Sequence, residues 1–342
     1  MSQQAARIVL ASRPKGEPKP ENFRLERFDV PEPGAGQILL KTLYLSLDPY
    51  MRGRMNDRES YAPPVPIGGV MDGEVVAEVV ASNLPDYRAG DVVLARLGWR
   101  THGVSDGEGL RKIDPSLGPV TTALGVLGMP GFTAYSGLRM IGQPKEGETL
   151  VVAAASGPVG SMVGQLAKQS GLRAVGIAGG PEKCAFVRDE LRFDAVVDHR
   201  RPDFRERLAE ACPEGIDIDF ELVGGEVWQA VLPLLNKFAR VPVCGLVAHY
   251  NDGGAGAVDQ LPATLGRILA RSLTLRGFIV YEFDELFPEF LDDVAPLVRN
   301  GEIRYREDVV DGFERAPEAF MGMLGGGNFG KLLVRVAHEP PA

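Results

Sequence analysis

The chain has 342 residues, 44% of them hydrophobic and 24% charged, with a formal net charge of -9 at pH 7. That length and balance fit a globular protein of about two domains. The acidic surplus argues against nucleic acid as the main partner, because phosphate binding needs a basic surface. Near the N-terminus the apolar cluster Ile8-Val9-Leu10-Ala11 follows Arg7 and is too short for the core of an export signal. A cytoplasmic protein without a membrane partner is expected.

The first third carries short alternating segments at Ile38–Tyr44, Gly73–Val80 and Asp91–Ala95. Turn clusters such as Pro31-Glu32-Pro33-Gly34-Ala35-Gly36 and Arg88-Ala89-Gly90-Asp91 separate them, which predicts a small barrel-like β domain. Two charge-free stretches follow, Pro115 to Leu138 and Leu150 to Ala167. Gly, Pro, Ser and Thr interrupt both, so they read as loop, helix start and core segments rather than membrane spans.

From about Val120 strands and helices alternate, the pattern of a parallel sheet covered on both faces. Its first unit is the most informative part of the chain. Leu150-Val151-Val152-Ala153 reads as a buried strand, and Val163, Leu166 and Ala167 continue a helical stripe after it. Between them Ala155-x-Gly157-x-x-Gly160 matches a dinucleotide fingerprint with alanine in the first glycine slot. Ala174–Ala178 then supplies the second strand of the βαβ unit that the fingerprint requires.

The tip of that second strand bears on which dinucleotide binds. An NAD site places Asp or Glu there to accept from the ribose 2′-hydroxyl. This chain reads Ala178-Gly179-Gly180-Pro181-Glu182-Lys183, with no carboxylate at the first two positions and a lysine beyond them. His199 and Arg200 follow the third strand, Asp194–Asp198, and are placed to reach the same region. These residues predict NADP(H) rather than NAD(H). Further strands are expected at Ile216–Val223, Arg240–Gly245 and Thr274–Phe278. A helix over Ala316–Leu324 and a last strand over Lys331–Val336 follow, and the sequence leaves open which domain owns that strand.

Cys184, Cys212 and Cys244 are widely spaced and form no Cys-x-x-Cys pair, and His102, His199, His249 and His338 form no His-x-x-x-His pair. No disulfide framework or metal site is expected, and each cysteine reads as a lone buried thiol.

Taken in order, several segments resemble the zinc-free, NADPH-dependent double-bond reductases of the medium-chain dehydrogenase/reductase superfamily. They are Leu47-Asp48-Pro49-Tyr50-Met51-Arg52-Gly53, Gly128-Met129-Pro130-Gly131-Phe132-Thr133-Ala134-Tyr135, the glycine loop, Pro181-Glu182-Lys183-Cys184, Val243-Cys244-Gly245 leading to Tyr250-Asn251, and Asn328-Phe329-Gly330-Lys331. The resemblance extends over prostaglandin reductases and plant alkenal reductases and is greatest to bacterial curcumin reductases. Zinc-dependent members of the superfamily carry a Gly-His-Glu segment where this chain reads Gly69-Val70-Met71-Asp72-Gly73-Glu74, without His or Cys.

The resemblance implies an α/β protein with a GroES-like catalytic domain over residues 1–124 and 301–342, and a Rossmann cofactor domain over 125–300. It implies a homodimer that reduces the C=C bond of enones and enals. Hydride reaches the β-carbon, and the enolate oxygen is stabilised by Tyr250 and a cofactor ribose hydroxyl, in place of a Lewis acid. The α-carbon proton is left to Tyr250 or water. Tyr50 and Tyr61 are implied as substrate contacts. Cofactor contacts are implied at Pro130, Thr133, Gly157, Pro158, Val159, Gly160, Gly179, Lys183, His199, Gly245, Tyr250, Phe278, Ile279, Val280 and Asn328. Many relatives have Asn where this chain has Leu222, which supplies no side-chain amide. Substrate choice is expected to depend on the loops Asn56 to Pro66 and Asn251 to Leu261. Two alternatives stay open at this point: a zinc-free quinone reductase, and a non-enzymatic NADP(H) sensor.

Overall fold

The computed structural model of the chain describes residues 4–251 and 260–339. They fall into two compact units, Met1–Leu124 with Glu307–Ala342, and Gly125–Arg306.

The first unit opens with strands β1 (Gln4–Leu10) and β2 (Phe23–Asp29), paired antiparallel. Strands β3 (Ile38–Ser46), β4 (Val75–Ser82), β5 (Val92–Ala95), β6 (His102–Ser105) and β7 (Arg111–Lys112) then build an antiparallel sheet. Their alternating sequences bury one face around Trp99, which stacks on Phe23 at 5.9 Å and meets Phe320 edge-on at 5.6 Å. Phe320 belongs to the helix Ala316–Leu324, so the end of the chain supplies part of this core.

In the second unit β8 (Thr149–Val152), β9 (Arg173–Ala178), β10 (Ala195–Asp198), β11 (Ile216–Phe220), β12 (Leu235–Val243) and β13 (Thr274–Gly277) form an all-parallel sheet. Its spatial order is β10-β9-β8-β11-β12-β13. The order reverses between β8 and β11, and in open parallel sheets ligands bind beyond the carboxyl ends of the strands at such a switch point. β8 is buried along its whole length, as a strand covered on both faces requires.

The last strands, β14 (Glu307–Asp311) and β15 (Lys331–Arg335), return to the first unit, where β15 pairs antiparallel with β3 and parallel with β14. Pairing along β3 answers the ownership question that sequence left open.

Three expectations need adjusting. The strand expected over Ile216–Val223 stops at Phe220, because the Glu221 carboxylate captures the backbone of the following loop. The strand expected to begin at Arg240 begins at Leu235. Of the cysteines only Cys212 is fully buried; Cys184 and Cys244 are half-buried. Among the described residues no helix is long and apolar enough to cross a membrane.

Candidate active site

The loop after β8 is shaped by the absence of side chains. Gly157 donates its N–H to the Ala154 carbonyl at 2.8 Å and precedes the helix Pro158–Gln169, whose first turn presents backbone N–H groups. A Cβ on Gly160 would stand 2.5 Å from the Ala154 oxygen, so only glycine lets the helix start this close to the strand. One turn on, a Cβ on Gly164 would stand 1.8 Å from the Phe193 ring. Ala155, in the first slot of the fingerprint, is fully buried and bonds Ile177 of β9 through its N–H. Pro158 and Val159 form the half-buried first turn of the helix.

Neighbouring strand tips bring cations together. Ala178 and Asp198 pair in register, which sets Gly179 beside His199 and Arg200. A Cβ on Gly179 would lie 2.8 Å from His199 Nε2 and 3.0 Å from Arg200 Nε. Asp198 accepts the N–H groups of Gly180 and Arg200, each at 2.9 Å. Partial burial acts to raise the Asp198 pKa, but these two donors hold it below the ordinary carboxylate value. His199 is pushed below its ordinary value by desolvation and then by the Arg200 charge, with Lys183 adding to the shift and Asp198 opposing it. Lys183, on the short helix Pro181–Ala185, thus belongs to the same cluster. Two cations and one imidazole gathered at one strand tip suit an anionic phosphate.

Beyond β11 and β12 the local rule is hydrogen bonding. Glu221 Oε1 accepts the N–H groups of Val223 at 2.7 Å and Gly224 at 2.8 Å, folding residues 222–225 back. Val247 and Ala248 donate to the carbonyls of Leu222 and Val223, so a second loop hangs on the first. Leu222 thereby takes part through its backbone oxygen. Tyr250 closes this turn, its N–H bonded to the Val247 carbonyl, and its hydroxyl lies 3.2 Å from where a Cβ on Gly245 would stand. Beneath the loop, burial and then the neighbouring Glu221 raise the Asp219 pKa.

In the first unit Tyr50 and Tyr61 share one partner. The Arg54 guanidinium carbon lies 5.7 Å from the Tyr50 ring centroid and 4.6 Å from that of Tyr61. Arg54 Nε stands 3.7 Å from Asp72, which Arg96 grips with two nitrogens at 2.8 and 3.1 Å. Burial raises the Tyr50 pKa, as do the charges of Asp72 and Asp48, so its hydroxyl stays protonated. Close by in sequence, Asp48 is buried against Lys331 Nζ at 2.5 Å and accepts from Ser46.

The remaining expected residues are placed as follows. Pro130 and Thr133 lie buried on the helix Met129–Gly137, where the Thr133 hydroxyl donates to the Met129 carbonyl at 2.7 Å. Phe278 is buried just past β13, and the Ile279 N–H is taken by Glu282 at 2.8 Å, with Val280 opening the next turn. Asn328 donates to the Gly330 carbonyl at 2.8 Å within the first unit. Of the loop Asn251 to Leu261, residues 252–259 lie outside the described residues.

Sequence reasoning missed Glu221, Arg54 and His249. His249 stood beside a singled-out tyrosine, and that adjacency was the available signal. Among the described residues no three His, Cys, Asp or Glu side chains converge as metal ligands.

Comparison with known proteins agrees with this layout. Residues 6–113 match the family described as N-terminal domain of oxidoreductase, and residues 158–295 match that described as zinc-binding dehydrogenase. The chain is 55% identical over 339 residues to the NADPH-dependent curcumin reductase of Escherichia coli K12, covering 98% of each. It is 40% identical to rat prostaglandin reductase 1, covering 97% of this chain and 99% of the relative. Against the NADP(+)-dependent 2-alkenal reductase of Nicotiana tabacum identity is 37%, covering 97% of each. The crystal structure of CurA from Vibrio vulnificus in complex with NADPH matches with a TM-score of 0.94 and 50% identity, over 97% of this chain and 99% of that one.

Proposed function

Because the chain belongs to the medium-chain dehydrogenase/reductase superfamily, in its branch of curcumin, prostaglandin and 2-alkenal reductases, we propose that it reduces the C=C bond of α,β-unsaturated ketones and aldehydes with NADP(H). One observation carries this reading. Along the carboxyl ends of one parallel sheet, a glycine-built loop, a cationic strand tip and a tyrosine hydroxyl follow one another.

The residues fit the cofactor. The space that a Cβ on Gly160 would fill belongs to a loop that a pyrophosphate approaches closely. Arg200 flanks Gly179 and, with nearby Lys183, supplies positive charge for a 2′-phosphate, beside the His199 imidazole. Gly157, Pro158, Val159 and Gly160 would hold the pyrophosphate through the helix start, with Gly245 bare against the nicotinamide end. When bound, NADPH supplies the hydride.

The chain's own residues then meet the charge that develops. Hydride arrival at the β-carbon leaves negative charge on the carbonyl oxygen, which needs a donor placed in advance. Tyr250 donates its O–H to that oxygen. In the first unit Tyr50 and Tyr61, held at a common spacing by Arg54, are the proposed substrate contacts. The α-carbon proton comes from Tyr250 or water.

Turnover of NADPH against a panel of enones, enals and quinones tests the reading. Fastest turnover is expected with enones or enals; faster quinone turnover overturns it in favour of a quinone reductase, and no turnover favours a sensor. A homodimer is part of the same proposal. Its support is the exposed apolar stripe Leu261, Leu265 and Leu269 of the helix Leu261–Arg271, which packs against β12, next to the edge strand β13. Light scattering should give twice the chain mass, and Leu265→Glu should halve it.

A further inference from the structure

His249 lies outside every role given above, yet its ring is built into the loop system that carries Tyr250. Gly224, with φ +75°, and Gly225, with φ +58°, adopt left-handed backbone that favours glycine. This conformation aims the Gly225 N–H at His249 Nε2, 3.1 Å away. A nitrogen that accepts carries no proton, so the ring's own proton sits on Nδ1.

The ring is packed as well as bonded. A Cβ on Gly224 would stand 3.0 Å from His249 Cδ2 and 3.2 Å from Nε2, so this edge of the imidazole lies close against Gly224. The same glycine pair is anchored from behind by Glu221 through the Val223 and Gly224 N–H groups. Backbone bonds from Val247 and Ala248 fix the start of the Tyr250 turn, and the imidazole fixes its end, one residue before the tyrosine.

We propose that His249 is a positioning residue for Tyr250: by accepting the Gly225 N–H it holds the turn that keeps the tyrosine hydroxyl over Gly245. This rests on the reading of Tyr250 as the donor to the developing oxyanion. His249 exchanges no proton with substrate. Its contribution is to restrict where the hydroxyl points, and small misplacements of a reacting group carry large losses of rate.

A double-mutant cycle with NADPH and one enone tests it, with NADPH affinity from fluorescence titration certifying the folded cofactor site in every variant. His249→Ala is expected to lower kcat about tenfold, with KM for the enone and affinity for NADPH within about twofold. His249→Gln, whose amide oxygen accepts the same N–H, should recover most of the loss. In the Tyr250→Phe background His249→Ala should change kcat by less than about twofold, because there is no hydroxyl left to place. Equal losses in both backgrounds, or a wild-type kcat in His249→Ala while Tyr250→Phe is slow, overturn the positioning role alone. A wild-type kcat in Tyr250→Phe overturns the tyrosine reading itself and this role with it.

Discussion

The two halves of the parallel sheet build their parts of the site by opposite means. In β8 to β10 the work is done by what is missing: Gly160 and Gly179 leave room for backbone and cations to approach, and the side chains that remain are charges at strand tips. In β11 to β13 it is done by what is tied: Glu221, Leu222, Val223 and Gly225 hold the 245–250 turn through a chain of hydrogen bonds. In the proposed enzyme the first half is a shape for an anion, and the second a bracket for one hydroxyl. Changes in the first should therefore appear in cofactor binding, and changes in the second in turnover.

Tyr250→Phe gives the largest expected effect, a fall in kcat of about ten- to a thousandfold with NADPH affinity unchanged. A weaker affinity with wild-type kcat would break the division between the halves. Gly160→Val should weaken NADPH binding by about tenfold or more, since its side chain would force the helix start away from the Ala154 carbonyl. Isothermal titration measures it, and unchanged affinity would mean that the loop is not where the pyrophosphate sits.

Lys183→Ala should raise the KM for NADPH about tenfold, the worth of one charge-assisted contact, and leave that for NADH unchanged. An equal effect on both cofactors would remove the lysine from the 2′-phosphate. The smallest effect concerns pH. Because His199 has a lowered pKa in the free protein, it is neutral at pH 7, and a phosphate beside it favours the protonated ring. Binding then takes up a proton, so NADPH affinity should rise as pH falls into the histidine range, by up to about tenfold. NADH affinity should stay flat, as should NADPH affinity in His199→Ala.

This contrast also explains what was legible. Ala155-x-Gly157-x-x-Gly160 could be read because close approach of helix to strand permits only glycine at Gly160, and a steric exclusion leaves its mark at the residue where it acts. The lysine beyond Gly179 was legible for a similar reason, through the lack of a carboxylate at one defined position. Glu221 and His249 were not, because a hydrogen-bond partner can be any acceptor whose position is set by another loop. Arg54 reads as one more surface cation until the fold stacks it against Tyr50 and Tyr61. Nor does the Ile216 run show where its strand ends, since the stop is a carboxylate turning back on its own backbone.

By itself the sequence determined the βαβ unit, its glycine loop and the absence of an acidic residue at the second strand's tip, all local consequences of sterics and charge over fewer than about forty residues. It also carried, through ordered segments along the chain, a family that the comparisons bear out. Only the tertiary structure decided that β15 pairs with β3, that His199 and Arg200 crowd Gly179, and that Tyr250 rests over Gly245. Each joins residues from separate strands or loops, and such contacts are fixed by packing and pairing across the fold, for which a linear pattern has no code.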